Sequence, residues 1–294
     1  MMNDRLHHAH KKGSLASTAR RVQALILVAV LVACAFAGLA WWRKQHMPSA
    51  GPAAIGPPPQ LMYAPPETDV VDREDMTLDL GEGVAMEFVW IEPLAIWVGK
   101  YEVTNREFRR WMPKHNTPDF EGHPMNGARQ PVVKVDYRHA VQGYVEWMNA
   151  FCGNQLPSGY RVRTLREAEA HELVRCGDDR TYPWGDSWPP PRDWNYHGEE
   201  SAGTSPPIKG WRDEWAVSCP VDESGRNEWG LHGVGDNVQE WVGKKRGRKG
   251  ATYDLLGIAS WYFGDGDDLR CDRVSRLGND LGTHYVGFRL VIGR

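Results

Sequence analysis

A chain of 294 residues that is 41% hydrophobic and 25% charged has the composition of one folded domain with additional segments, which excludes a wholly disordered or fibrous protein. The net charge of −3 divides unevenly: seven Lys/Arg against Asp4 put +6 on residues 1–44 and leave −9 on the rest, so the folded part disfavours non-specific nucleic-acid binding. Fourteen tryptophans, 31 glycines and 20 prolines point to a loop-rich fold held by aromatic packing more than by long regular elements.

Residues 1–21 form a short basic tail. The run 22–42, VQALILVAVLVACAFAGLAWW, has no charge over 21 residues and is long enough to cross a bilayer as a single transmembrane helix, with Trp41 and Trp42 at the interface. Arg5, Lys11, Lys12, Arg20 and Arg21 precede it, which keeps the tail cytoplasmic and exports the chain beyond residue 42. The sequence reading is therefore a bacterial inner-membrane, single-pass protein with its domain on the periplasmic or extracytoplasmic side. Two processing alternatives rank below it: Ala35-Phe36-Ala37 resembles a signal-peptidase site, and Leu31-Val32-Ala33-Cys34 a lipobox that would make a lipoprotein through Cys34. Residues 43–75 hold prolines 48, 52, 57, 58, 59, 65 and 66 and read as an extended spacer ahead of the domain, 76–294.

Within that domain, Met76 to Gly99 is rich in β-formers and aromatics and predicts one or two strands. Thr104 with Glu107 forms a capping box that opens a short helix through Phe108, Trp111 and Met112, stopped before Pro113. Pro131 to Val135 predicts a strand. Asp136 caps a helix whose buried face is Val141, Tyr144, Val145, Met148, Phe151 and Cys152. A second box, Thr164 with Glu167, opens the helix LREAEAHELVRC, with Leu165, Ala168 and Leu173 facing inward. After Cys176 about 80 residues carry no periodicity, so ions, disulfides or aromatic clusters must order them. Tyr285 to Ile292 is strand-like.

Inside the aperiodic region, Asn227 to Trp241 reads NEWGLHGVGDNVQEW. Glycines 230, 233 and 235 force repeated turns between tryptophans, and Asp236, Asn237 and Glu240 set oxygen atoms among exposed carbonyls, as suits a hard cation. A glycine turn packed by two tryptophans accounts for the same pattern. The run Lys244, Lys245, Arg246, Arg248, Lys249 reads as a solvated loop. There is no Walker loop, HExxH, paired CxxC or nucleophile elbow.

Six pieces, in order, resemble the formylglycine-generating enzyme and sulfatase-modifying-factor superfamily. Glu102-Val103-Thr104-Asn105 is similar to its EVTN; Pro131-Val132 with Asp136 to Trp147 is similar to its PV-x-V-x-W-x-x-A-x-x-Y-x-x-W helix. Arg161 to Glu169, RVRTLREAE, stands where the family has RLPTEAEWE, and Tyr182-Pro183-Trp184-Gly185 where it has YPWG. The segment 227–241 resembles N-x-x-GL-x-D-M-x-GNVWEW, and Ser260-Trp261, Arg270 and Gly287-Phe288-Arg289 resemble GGSW…R…GFR.

The resemblance implies an α+β, irregular, C-type-lectin-like fold over about residues 80–294. It also implies two calcium sets, Asn195, Tyr196, Asp213 and Trp215, and Gly235, Asp236, Val238 and Glu240, all hard oxygen donors. By the same resemblance Cys176 and Cys271 form a disulfide, while Cys152, whose usual partner position is Leu290, pairs with Cys219 or stays free. The oxidases of the superfamily hold copper(I) on two cysteines; those positions are Phe263 and Asp268, neither of them a soft donor, so copper is disfavoured. The three-histidine site of the iron-dependent members is likewise not seen. Ser260, Trp261, Asp265, Asp267, Asp268 and Arg270 are then the candidate ligand-binding residues. The expected function is a non-oxidase binding or accessory module for an exported protein, peptide or glycan, with no nucleic-acid partner. The alternatives are a formylglycine-generating oxidoreductase acting on a sulfatase-type cysteine through an atypical metal site, and a structural subunit of an envelope complex.

Overall fold

The structure is a computed structural model that describes residues 73–246, 252–256, 259–273, 275–277 and 282–294. The expectations for the tail, the apolar run 22–42, Cys34, the spacer up to residue 72, and Arg248 and Lys249 lie outside the described residues. Among the described residues no helix is long and apolar enough to cross a membrane.

Strands β1 (Met76–Asp79), β2 (Ala85–Ile91) and β3 (Ile96–Gly99) fill the first stretch, one strand more than the sequence predicts. The surplus arises because Gly81 and Gly83 take positive φ values of 77° and 69° and turn the chain between Asp79 and Ala85. Helix α1 (Asn105–Trp111) starts as expected: Thr104 accepts from the Glu107 amide, and the Glu107 carboxylate accepts from the Thr104 amide at 2.7 Å. Helix α2 (Gln142–Cys152) follows a π-helical turn over Tyr137–Val141, and Asp136 caps that turn by accepting from the His139 amide at 2.7 Å. Strand β4 (Arg161–Thr164) leads into helix α3 (Glu167–Arg175).

The remaining strands are β5 (Gln239–Arg246), β6 (Thr252–Leu256), β7 (Ser275–Leu277), β8 (Val286–Gly287) and β9 (Leu290–Gly293). One sheet runs β1-β2-β3-β9-β4 with antiparallel neighbours; the other runs β7-β6-β5-β8, where β5 and β8 are parallel.

Several expectations need correction. Phe151, expected on the buried face of α2, is 46% exposed, and Ala168, expected to face inward from α3, is exposed. Pro131–Val135 is extended but joins no sheet: Val132 donates to Val103 O and Lys134 to Thr283 O, and the positive φ of Lys134, 61°, breaks any ladder. The second capping box lies two residues later than expected, because Thr164 ends β4 and Glu169 accepts from the Arg166 amide at 2.8 Å. The closing strand is split at Phe288-Arg289.

The first core cluster packs the five-stranded sheet against α1 and α2 through Phe88, Trp97, Phe108, Tyr144, Met148 and Phe288, each at most 1% exposed. Buried side chains of this size contribute roughly 1.5–3 kcal/mol apiece. Residues 177–238 contain no helix and no multi-residue strand, and a second cluster around Trp194, Tyr196, Trp211 and Leu231 orders them. Tyr182 and Trp184 stack with centroids 4.6 Å apart, and Trp184 meets Trp194 and Tyr196 in turn.

Candidate functional site

The segment 227–241 folds back on itself by using its own polar atoms. The Asn227 side-chain oxygen accepts from the amides of Trp229 and Leu231, and its amide group donates to Leu173 O at the end of α3. Gly233 lies against Glu102, where a Cβ would fall 2.3 Å from the carboxylate oxygen. At Asn237 the backbone turns left-handed (φ 48°), and its side chain becomes a hub. Its oxygen accepts from Asn195 Nδ2 at 3.1 Å and the Cys219 amide at 3.0 Å, and its nitrogen donates to Glu102 Oε1 at 3.0 Å. Trp241, fully buried, donates from its indole to Val135 O at 3.1 Å.

Around that hub sits a buried excess of acid. Arg289, fully buried, donates to Glu240 Oε1 from Nε and Nη2, both at 2.8 Å, and stands 3.9 Å from Glu102. Burial raises Glu102 to about 7, against the pull of Arg289. Burial also drives Asp236 well above the usual carboxylate range, helped by the Glu102 charge. Asp236 Oδ2 accepts from the amides of Asn195 and Gly225, while Asp236 Oδ1 and Glu102 Oε2 have no hydrogen-bond partner.

The first expected calcium set is brought together. Asp213 Oδ2 accepts from the Tyr196 amide at 3.1 Å, and Oδ1 accepts from the amides of Glu214 and Trp215 at 2.6 Å. Asn195 spends its Nδ2 on Val217 O and Asn237 and leaves Oδ1 buried without a partner. Burial holds the Asp213 carboxyl up at about 8, and neighbouring Glu200 adds to the shift. Glu200 was not legible in the sequence, since nothing in its spacing ties it to Asp213. Its Oε1 accepts from the Asp213 amide at 2.8 Å, and its Oε2 is another buried orphan. Two carboxylates and an orphaned amide oxygen form a hard donor set that fits calcium. Among the described residues no three His, Cys, Asp or Glu converge to hold a metal, so an ion here would have to draw on amide and main-chain oxygens as well.

The second set is differently disposed. Gly235 O already accepts from the Tyr196 hydroxyl at 2.9 Å, and Glu240 is engaged by Arg289. Val238 is buried beside them.

The candidate ligand residues divide. Ser260 and Trp261 are fully buried, and Trp261 ties the segment to the signature turn, donating its amide to Asn237 O at 2.9 Å. Asp265, Asp267 and Asp268 are exposed on one turn, where Asp265 Oδ1 accepts from the Asp267 amide and Asp265 O from the Asp268 amide. Arg270 is half-buried and pairs with Asp272 at 3.2 Å. Trp188 was missed: it is 46% exposed and lies against this turn, with Gly266 so close to its ring that a Cβ would approach within 3.2 Å.

Phe263 packs edge-on to Tyr285, with centroids 5.8 Å apart, and Asp268 is on the surface. Cys271 is buried, and burial pushes its thiol up to about 12, so it offers no thiolate at neutral pH. The expected Cys176–Cys271 bridge is not formed. All four described cysteines are free thiols, and those two direct their Sγ atoms to consecutive α3 carbonyls, Cys176 to Leu173 O and Cys271 to Val174 O.

A two-sheet domain closed by a buried Glu102–Asn237–Arg289 network defines a protein of the formylglycine-generating-enzyme class. Residues 60–294 match the family described as the sulfatase-modifying factor enzyme 1-like domain, and the chain belongs to that family. It is 27% identical over 266 residues to the inactive C-alpha-formylglycine-generating enzyme 2 of Mus musculus, an alignment covering 76% of this chain and 80% of that protein. It is 28% identical over 159 residues to the formylglycine-generating enzyme of Thermomonospora curvata, covering 53% of this chain and 42% of that protein. Among solved structures, Treponema denticola variable protein 1 superposes with a TM-score of 0.57 at 15% identity, over 74% of this chain and 98% of that one. PvdO from Pseudomonas aeruginosa gives 0.51 at 18% identity, over 75% and 91%. Likeness at those identities speaks for the fold alone.

Proposed function

We propose that this chain is a non-oxidase member of its family, a binding or accessory module for an exported protein, peptide or glycan. The observation that carries the reading is the donor chemistry at the two copper positions. Phe263 has no donor atom, Asp268 offers hard oxygen on the surface, and the nearest thiol in sequence, Cys271, is buried and protonated. Copper(I) needs soft thiolates, so this donor set does not fit it. The exposed face formed by Trp188 and the Asp265–Asp268 turn is the surface assigned to the ligand, with an aromatic ring beside hydroxyl- and cation-accepting carboxylates. Calcium is assigned to Asn195, Tyr196, Asp213 and Trp215, with Glu200 as a further carboxylate. The ion would neutralise a buried acidic pair and tie two irregular segments together.

The full chain is assigned to a membrane by the apolar run 22–42, with the domain on the exported side. The test is to incubate the purified protein with copper(I) and a peptide carrying a CxPxR sequence and to look for aldehyde by mass spectrometry. None is expected; aldehyde formation would replace the binding reading with the oxidase one. In parallel, calcium should raise the melting temperature over that in EDTA, because an ion bound only to the folded state stabilises it by mass action. Coincident melting curves remove the calcium assignment.

A further inference from the structure

Strand β4 is an edge of the five-stranded sheet, bonded on one side to β9, while on the other the Asn149 side chain of α2 meets the Val162 N–H and C=O. Its alternation puts Val162 and Thr164 toward the core and Arg161 and Arg163 on the opposite face. Arg166 follows at the mouth of α3 with its side chain 62% exposed. These three guanidinium groups, with Glu167, line an open cleft of about 270 Å³ whose far wall is Val242 and Gly243 of β5. Beyond Gly243 the same strand continues as Lys244-Lys245-Arg246.

The acid nearby is largely committed, and Arg166 itself stands 3.6 Å from Glu169 Oε1 and donates to Arg294 O at 3.3 Å, contacts that a phosphate would replace at the exposed end of its side chain. Glu169 accepts from both terminal nitrogens of Arg163 at 2.7 Å and from the Arg166 amide at 2.8 Å. Arg163 is only 12% exposed, yet its Nε–H has no hydrogen-bond partner, a costly state for a buried donor. The family motif at this place, RLPTEAEWE, holds one basic and three acidic residues; RVRTLREAE here holds three basic and two acidic, a reversal of sign. Arginines on an edge strand also deter pairing with other strands, which accounts for Arg161. That reading does not account for Arg166, which lies past the strand.

We propose that the cleft between β4, α3 and β5 is an anion site that takes a phosphate group on the exposed guanidinium groups of Arg161 and Arg166. Planar guanidinium forks match the oxygen spacing of phosphate, and charge-assisted bonds of this kind are about twice as strong as neutral ones. The group could arrive as free phosphate or a monoester, or as the phosphodiester headgroup of an anionic lipid, and the two sources share this chemistry.

The experiment is isothermal titration of the full chain in a neutral detergent, at fixed ionic strength, with inorganic phosphate and separately with glycerophosphoglycerol, a soluble diester headgroup. Binding of at least one probe is expected, and the Arg161→Gln/Arg166→Gln double variant should bind it at least ten-fold more weakly. Both side chains are solvent-exposed, and melting in the absence of either probe checks that the variant stays folded. Comparable binding of the diester assigns the lipid headgroup, whereas binding of inorganic phosphate alone assigns a free or monoester phosphate. No heat from either probe, or equal affinity in the folded variant, overturns the site.

Discussion

The signature turn, residues 227–241, and the segment 259–273 are joined by a hydrogen bond from the Trp261 amide to Asn237 O and by shared apolar clusters, yet their polar groups are built on opposite principles. In the turn, polar side chains are buried and satisfy one another across the fold, so each residue is fixed by several partners. In the segment, burial is interrupted: Ala259 to Trp261, Leu269 and Cys271 are buried, and the turn between them is not. From Asp265 to Asp268 the turn is held by backbone groups and one Asp265 cap, which leaves the side chains of Asp267 and Asp268 in solvent. A fold arranged this way can exchange chemistry in the second region without losing the first. Phe263 and Asp268, at the copper positions, stand in the second.

The largest effect that would sharpen this contrast is expected at Asn237. Asn237→Ala leaves Glu102 Oε1 and the Cys219 amide without a partner in a site closed to water, and leaves Asn195 Nδ2 with Val217 O alone. Each buried polar group so orphaned costs roughly 1–3 kcal/mol, and the left-handed backbone adds strain for alanine, so a loss of about 3–5 kcal/mol is expected in a urea denaturation. A loss under about 1 kcal/mol would show that the hub is not what closes the fold.

Next comes pH. Asp213, raised to about 8, and Glu102, raised to about 7, are carboxyls that the folded state prefers protonated. Their contribution to stability is therefore full below their unfolded values and is lost as pH rises through the folded ones. His115, His197, His232 and His284 are shifted down, so they oppose folding below about 7.5, where the unfolded chain takes up their protons. Subtracting the profile of Asp213→Asn cancels them and isolates Asp213. Between pH 6.5 and 8 that difference should fall by roughly 1.5 kcal/mol, at about 1.4 kcal/mol per pH unit for a single group. Calcium should flatten it. A difference that is level or rising across this window rules out the buried Asp213 carboxyl as its determinant.

Much of the scaffold was legible because its signals are local. A capping box at Thr104, an Asp136 cap and apolar spacing in α2 and α3 each depend on residues within a few positions of one another. The ordering of 177–238 by aromatic contact was also foreseeable from the tryptophan count, since no periodicity offered an alternative. The misses share a different origin. Lys134 breaks an apparent strand through a backbone angle that residue type does not reveal, and Ser260 and Trp261 are buried because a distant turn accepts the Trp261 amide. Glu200 and Trp188 reach their sites only through long-range folding of aperiodic chain. Local chemistry was readable, whereas which of two exposed-looking residues is buried was not.

The smallest stability effects belong to the exposed turn, and they test the contrast most directly. Asp268→Asn removes a side-chain charge in solvent, leaves the Asp265 cap of the turn intact, and should change stability by less than about 0.5 kcal/mol. Trp188→Ala loses a ring 5.6 Å from Tyr182 and partly open to water, and should cost about 1 kcal/mol or less. If the turn is the ligand face, both variants should still lose binding in a glycan or peptide array while melting almost unchanged. If either variant unfolds the domain, the division between a fixed interior and an exchangeable turn fails. Should both retain full binding, the division survives, and the ligand face must be sought elsewhere on the surface, because nothing in the interior network of Asn237 is open to a partner.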